Sequence, residues 1–75
     1  MSDRTIGILG LGIFGSSVLT ALAKQDMNII AIDDHAERIN QFEPVLARGV
    51  VGDITDEELL RTAGIDTCDT VVVAT

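Results

Sequence analysis

Short apolar runs alternate with amphipathic segments along the whole of this 75-residue chain. Almost continuously apolar runs, rich in Ile and Val, are typical of strands that are covered on both faces of a sheet. Such runs predict strands at Thr5–Leu9 and at residues 28–32, 47–51 and 70–74. Between them, apolar residues recur at helical spacing and predict helices at residues 15–24, at Ala36–Phe42, and from a capping box at residues 55–58, with Thr55 as N-cap, to Gly64.

The strict alternation of strands and helices predicts parallel strands joined by right-handed crossovers. The expected fold class is α/β, a Rossmann-like parallel sheet in the order 3-2-1-4 with helices on both faces and a ligand crevice between strands 1 and 4. Strand 4 is then an edge, and residues 71–73, all valine, are too apolar to stay open to water. We therefore expect residues 1–75 to be the truncated N-terminal part of a single Rossmann-like domain whose edge another element or chain covers.

The composition narrows the classes of partner. Twelve acidic against five basic residues give a net charge of −7, which disfavours nucleic acids and anionic lipid surfaces as partners. A single cysteine offers no disulfide framework, so a reducing cytoplasm is the expected location. No apolar run approaches the ~20 residues of a membrane span, and direct membrane insertion is not expected.

A glycine motif follows the first predicted strand. Gly10 allows a tight turn, Gly12 lets a pyrophosphate approach the backbone, and Gly15 lets the helix pack closely on the sheet. The helix that begins there offers free amides and the positive end of its dipole to an anion. Asp33 directly follows the next predicted strand, 21 residues after Gly12. Its carboxylate is placed to accept both ribose hydroxyls of an adenosine, and its charge disfavours the 2′-phosphate of NADP.

Further residues are candidates for the same site. The amides of Ile13 and Phe14, just before the first predicted helix, and the hydroxyl of Ser16, in its first turn, are within reach of a phosphate. Thr75 ends the fourth predicted strand at the mouth of the crevice. Asp34, next to Asp33, is expected to cap the second helix rather than to bind a ligand.

Three other reactive or charged side chains have simpler interpretations. His35 lies in a polar turn without a second histidine or a cysteine nearby, so it is interpreted as a solvated loop residue and no metal is predicted. Cys68 has no cysteine partner and is interpreted as a buried, inert thiol. Arg38 lies four residues after Asp34, which is the spacing of a surface ion pair on a helix.

The second half of the chain resembles the KTN (TrkA-N) domain of the RCK regulators of potassium channels and transporters, over residues 52–65 and 68–75. The most specific part of this resemblance is the segment Gly-Asp-x-Thr-Asp-Glu-Glu-Leu-Leu. The glycine turn and residues 30–33 are similar to the same family. The resemblance implies a cytoplasmic regulatory subunit or domain, not an enzyme, that binds an adenine nucleotide: NAD or NADH first, ATP or ADP as alternatives. It further implies a homodimer or larger ring on a potassium-transporting membrane subunit, and it brings Asp53 to the adenine side of the site.

One position departs from many regulators of this type. They carry Arg between the second glycine and the Phe, where this chain has Ile13. An Arg there could clamp a terminal phosphate bidentately, and Ile cannot. The departure argues against specific sensing of ATP and leaves the helix-terminus site intact. For Asp53, a turn formed together with Gly52 remains an equal alternative to adenine contact.

Two other functions remain open. The chain could be the cofactor half of an NAD-dependent dehydrogenase, although no titratable pair at catalytic spacing is present. It could also be an assembly module with a vestigial nucleotide site, although Gly12 and Asp33 are both retained. The segment at residues 52–65 is what favours the regulator.

Overall fold

The computed structural model describes residues 4–74, which form one parallel sheet with helices on both faces. The strands are β1 Thr5–Leu9, β2 Asn28–Asp33, β3 Arg48–Val51 and β4 Thr70–Val73. The helices are α1 Ile13–Leu22, α2 Ala36–Phe42 and α3 Glu57–Ala63, with single-turn 3₁₀ helices at Glu43–Val45 and Ile65–Thr67.

The sheet has the order β3-β2-β1-β4, with all its pairs parallel. This is the predicted order 3-2-1-4, so the Rossmann-like fold class is confirmed. β1 lies at the centre, where Ile8 pairs with Ala31 of β2 on one side and with Val72 of β4 on the other. The reversal of winding beside β1 opens a crevice at the carboxyl ends of the strands, where ligands of such sheets bind.

Alternate residues of the central strands supply two separate apolar clusters, one on each face of the sheet. Ile29 and Ala31 of β2 belong to the cluster that packs under α1 and α2, together with Leu19 and Ile39. Ile30 and Ile32 belong to the cluster on the opposite face, which α3 covers through Ala63, Leu59 and Leu60. Both faces of β2 are therefore buried under helices, which is why its sequence is almost continuously apolar.

The predicted element boundaries differ from the structure by one or two residues. α1 begins at Ile13, two residues earlier than expected, because Gly12 takes the extended conformation of an N-cap. It ends at Leu22 because the chain then tightens into a turn in which the Gln25 amide donates to the Leu22 carbonyl at 2.9 Å. β2 runs one residue further, to Asp33, while β3 begins one residue later and β4 ends one residue earlier than predicted.

The N-cap of α3 is Asp56, and the prediction of Thr55 is wrong. The Asp56 carboxylate accepts from the amides of Glu58 at 3.0 Å and of Leu59 at 3.2 Å. Thr55 is engaged elsewhere, since its hydroxyl donates to Asp53. Thr55 and Asp56 both offer an oxygen that could accept from the helix amides, and a carboxylate makes stronger bonds with them than a hydroxyl does. The helix ends at Ala63 with Gly64 as its C-cap, in agreement with the predicted end at Gly64.

β4 forms one edge of the described sheet, and its side chains are only partly covered. Val73 is 64% exposed and Val71 38%. Within residues 4–74, no helix is both long and apolar enough to cross a bilayer.

Candidate functional site

A cleft of about 340 Å³ opens at the carboxyl ends of the strands, where the topology predicts a ligand site. It is bordered by the glycine turn after β1, the acidic turn after β2, the loop after β3 and the end of β4. The lining residues are Gly10, Gly12, Asp33, Asp34, Arg38, Gly52, Asp53, Ile54 and Ala74. Four predicted site residues thus meet in one place: Gly10, Gly12, Asp33 and Asp53.

The three motif glycines meet different steric conditions. Gly10 has φ = 98°, a left-handed conformation that a side chain would strain, and this lets the chain turn sharply out of β1. A Cβ on Gly15 would collide with the carbonyl oxygen of Gly10 and lie 3.2 Å from Ala74, so α1 packs as closely on the turn as a backbone allows. A Cβ on Gly12 would meet nothing within 4 Å and would project into free space.

The N-terminus of α1 carries no side-chain cap. Gly12 is the N-cap and has no side chain to cap the helix amides, and the first turn contains no acidic residue. Ile13 and Phe14 expose 94% and 63% of their surface. The amides at this end of a ten-residue helix therefore face a region where an anion could approach.

Three predicted site residues of α1, Ile13, Phe14 and Gly15, are not among the residues that border the cleft, although their backbone begins beside it. Ser16 is also outside it, because its hydroxyl donates to the Leu11 carbonyl at 2.9 Å. Thr75 lies outside the described residues.

Asp33 is the buried acid of the cleft, with 3% of its surface exposed. Its Oδ2 accepts from the Leu11 amide at 2.6 Å, and its Oδ1 accepts from the His35 amide at 2.8 Å. The carboxylate ties the glycine turn to the start of α2.

The same contacts keep Asp33 ionised. Burial alone raises the pKa of this carboxyl, and the bonds from the Leu11 and His35 amides lower it. The His35 side chain and the Arg38 guanidinium act in the same direction, and the pKa lies below its ordinary value. The cleft therefore presents a full negative charge at neutral pH.

Arg38 lines the cleft and was not predicted as a site residue. Its Nη1 lies 3.5 Å from Oδ2 of Asp33, and 42% of its side chain is exposed. This ion pair replaces the expected one with Asp34, whose carboxylate lies beside His35 instead. The only sequence signal was the position of Arg38 in the first turn of α2, five residues after the acid. Among the residues that border the cleft in the described part of the chain, Arg38 alone carries a positive charge.

Asp34 does not cap α2, and that prediction is wrong. The N-cap is His35, without a side-chain cap, and the Asp34 side chain is 71% exposed. His35 Nδ1 lies 2.6 Å from Oδ1 of Asp34 and 3.3 Å from Oδ1 of Asp33. Asp33, Asp34 and His35 each offer one atom that could bind a metal ion, and these atoms lie within 4.8 Å of one another. Exposed acidic groups commonly show this spacing without binding any ion.

Asp53 forms a local turn and also borders the cleft. Its Oδ1 accepts from the Thr55 hydroxyl at 2.7 Å and from the Thr55 amide at 2.8 Å, and it borders the cleft. The Thr55 hydroxyl and then its amide lower the pKa of Asp53 below the ordinary value. The turn is therefore formed with Thr55 and not with Gly52 alone, and it presents an ionised side chain at the β3 end of the cleft.

Cys68 lies just before β4, at the amino ends of the strands and therefore on the side of the sheet away from the cleft. It is half-buried against the cluster beneath α3, and its Sγ lies 3.6 Å from the Gly64 carbonyl. Burial first, and then the charges of Asp69 and Asp66, raise the pKa of this thiol. The thiolate is disfavoured, as expected of an inert cysteine.

A parallel sheet in this order, with a glycine turn, an uncapped helix N-terminus and a buried acid at its carboxyl edge, defines a Rossmann-like α/β domain. Residues 6–75 match the TrkA-N domain. The chain belongs to the TrkA-N domain family.

Its relatives among known proteins include components of potassium uptake systems. The chain is 32% identical over 71 residues to the Ktr system potassium uptake protein C of Bacillus subtilis, covering 95% of the chain and 32% of that protein. It is 27% identical over 74 residues, 99% of the chain, to the Ktr system potassium uptake protein A of the same organism. The counterpart of protein A in Vibrio alginolyticus is 26% identical over 72 residues, 96% of the chain. The chain spans about a third of the length of these two proteins, 33% in each case.

A solved structure of a different protein shares the fold. N5-carboxyaminoimidazole synthetase from Staphylococcus aureus, complexed with ADP, superposes with a TM-score of 0.76 at 22% identity. The match covers 95% of this chain and 18% of the synthetase. The similarity concerns the architecture of the α/β unit.

Proposed function

We propose that this domain binds an adenine nucleotide and thereby controls potassium transport. The observation that carries the proposal is the juxtaposition, in one cleft, of the uncapped N-terminus of α1 and the buried, ionised carboxylate of Asp33. An anion is favoured at the first and a pair of hydroxyl donors at the second. A nucleotide carries both groups.

In the proposed complex the phosphates meet the amides of residues 12–15, and the ribose meets Asp33. A Cβ on Gly12 would meet nothing within 4 Å, and this free space beside the amides supports placing the pyrophosphate there. Asp53 and Ile54 border the cleft on the far side of Asp33, where the adenine would lie. NAD or NADH is the preferred ligand, and ATP and ADP are alternatives, since no Arg stands at position 13 to hold a terminal phosphate.

The regulatory role rests on family membership and on the relatives named for potassium uptake. We propose a cytoplasmic regulatory domain, not an enzyme, that acts on a potassium-transporting membrane subunit. We also propose that it works as a homodimer or larger ring, because Val71 and Val73 leave apolar surface on the edge strand β4. Light scattering on the full-length protein tests this last point, and a stable monomer would contradict it.

Calorimetric titration of the full-length protein with NAD, ADP and ATP tests nucleotide binding. Asp33→Ala should weaken NAD or ADP by about 1.5–3 kcal/mol, the range for hydrogen bonds to a charged group. Asp66→Ala is the matched control, because it removes one exposed carboxylate before β4, at the opposite edge of the sheet, and should leave the affinity unchanged.

Two results would contradict the proposal. Equal loss in both variants would mean that net charge, and not the cleft, governs binding. Absence of binding in the wild-type protein would favour an assembly module with a vestigial site. Thermal unfolding of each variant, followed by circular dichroism, separates loss of binding from loss of fold.

A further inference from the structure

The ion pair between Asp33 and Arg38 joins the two charged groups that decide how a ribose is recognised. In Rossmann-like folds an acid at the end of the second strand binds an unmodified ribose, whereas a nearby Arg accommodates a 2′-phosphate. This cleft contains both. Nη1 of Arg38 lies 3.5 Å from Oδ2 of Asp33, the same oxygen that accepts from the Leu11 amide.

The charges around the cleft give Arg38 a large influence on whether a 2′-phosphate can bind. A 2′-phosphate near Asp33 would also face the carboxylates of Asp34 and Asp53, which border the same cleft. Of the described lining residues, Arg38 alone could offset that repulsion. Its side chain is 42% exposed, so N–H groups not directed at Asp33 have room to meet a ligand.

We propose that Asp33 and Arg38 act as one specificity element, in which Asp33 excludes a 2′-phosphate partly by engaging the cation that would otherwise receive it. The proposal deepens the nucleotide-binding function above and rests on it. It assigns Arg38 as a specificity-determining residue: it tempers the repulsion of a 2′-phosphate while Asp33 is charged, and it becomes the phosphate partner once that charge is removed.

NAD and NADP are the probes, because they differ only by the 2′-phosphate, and the ratio of their dissociation constants for the full-length protein is the readout. The wild-type protein should prefer NAD by about tenfold or more, as expected of an acid at this position. Arg38→Met should increase the preference by about threefold or more, because the cation near the 2′ position is lost. Arg48→Met is the matched control, since Arg48 lies at the start of β3 and bonds to the Thr62 carbonyl, away from the cleft.

The second pair of variants tests whether Arg38 binds the 2′-phosphate once it is released from its ion pair with Asp33. Asp33→Asn should abolish or invert the preference for NAD. In the double variant Asp33→Asn/Arg38→Met, the affinity for NADP should fall by about tenfold or more relative to Asp33→Asn, as expected when a charged partner of a phosphate is removed. An equal affinity of the single and double variants for NADP would overturn the proposal.

Two safeguards keep the result decisive. If circular dichroism shows that Asp33→Asn does not fold, the comparison of Arg38→Met with Arg48→Met decides alone, and equal ratios in these two variants overturn the inference. Absence of NAD binding in the wild-type protein contradicts the proposed function itself. Binding of NAD with a ratio that does not respond to Arg38 contradicts only the inference.

Discussion

The turns that follow β1 and β2 form two sides of one cleft in opposite ways. The first, residues 10–12, works through the absence of side chains: the backbone reverses at Gly10, and Gly12 leaves the cleft open. The second, residues 33–35, works through a side chain, since the Asp33 carboxylate is buried and accepts two backbone amides. One turn therefore tolerates no added atoms at its tightest point, whereas the other depends on a single charge.

The two turns are also joined to each other. The Leu11 amide, inside the glycine turn, donates to Asp33 at 2.6 Å, and the Gly10 amide donates to the Ile32 carbonyl at 2.8 Å. The acid of the motif thus has a structural task before any ligand arrives. Substitutions in the two turns should separate this structural task from binding.

The largest effect is expected at Gly15, where the helix meets the glycine turn. Gly15→Ala places a Cβ against the carbonyl oxygen of Gly10, which is backbone and cannot rotate away. We expect the free energy of unfolding to fall by about 3 kcal/mol, the upper range for overpacking, despite the higher helix propensity of Ala. Urea denaturation measures it. Thr20→Ala, on the exposed side of the same helix, is the control.

Asp33→Asn should have the next largest effect on stability. The amide keeps the shape of the side chain but loses the charge that accepts from Leu11 and His35. A loss of about 2 kcal/mol is expected, within the range for hydrogen bonds to a charged group. Asp34→Asn, at the exposed neighbour, should stay within about 0.5 kcal/mol of the wild type. Equal losses at the two positions would contradict the structural role of Asp33.

The folding stability should also depend on pH through Asp33. Because its pKa in the folded state lies below the ordinary value of 3.8, the unfolded chain binds more protons in that range. This contribution to stability is therefore complete above that value and is lost as the pH falls through the lower pKa of the folded state. Urea midpoints measured from neutral pH into this acidic range should fall less steeply in Asp33→Asn than in the wild type. Equal slopes would show that Asp33 is not linked to acid unfolding.

These contrasts also explain what could be predicted from the sequence. The strand order and the glycine turn were predictable because apolar periodicity and glycine spacing are local signals with few physical alternatives. The position of Asp33 was predictable, but its bonds to Leu11 and Arg38 depend on how two turns approach each other in space. The caps at His35 and Asp56 were missed because neighbouring polar residues compete for the same amides, and only tertiary geometry selects one of them.

Gly12→Ala should reverse the pattern expected at Gly15. Its Cβ would meet nothing within 4 Å, so the free energy of unfolding should stay within about 0.5 kcal/mol of the wild type. The added methyl group would instead occupy the space proposed for the pyrophosphate. Calorimetry should show NAD or ADP bound about tenfold more weakly, or about 1.4 kcal/mol. Unchanged affinity would place the phosphates away from this turn.

The smallest effect is expected at Ile13, where the glycine turn could acquire a charged side chain of its own. Ile13 is 94% exposed at the start of α1, so a substitution there should leave the fold intact. The wild-type protein should bind ATP no more than about threefold tighter than ADP, because the apolar side chain of Ile13 cannot hold a terminal phosphate. Ile13→Arg should raise that preference to about fivefold or more by a bidentate, charge-assisted contact.

Ile13→Gln is the matched control for this change, because it adds a long polar side chain without a charge and should leave the preference for ATP near that of the wild type. A wild-type preference above about tenfold, or about 1.4 kcal/mol, would instead show that another basic group holds the terminal phosphate. In that case the phosphate side of the cleft would depend on a side-chain charge, as the acidic turn does, and the contrast between the two turns would no longer hold.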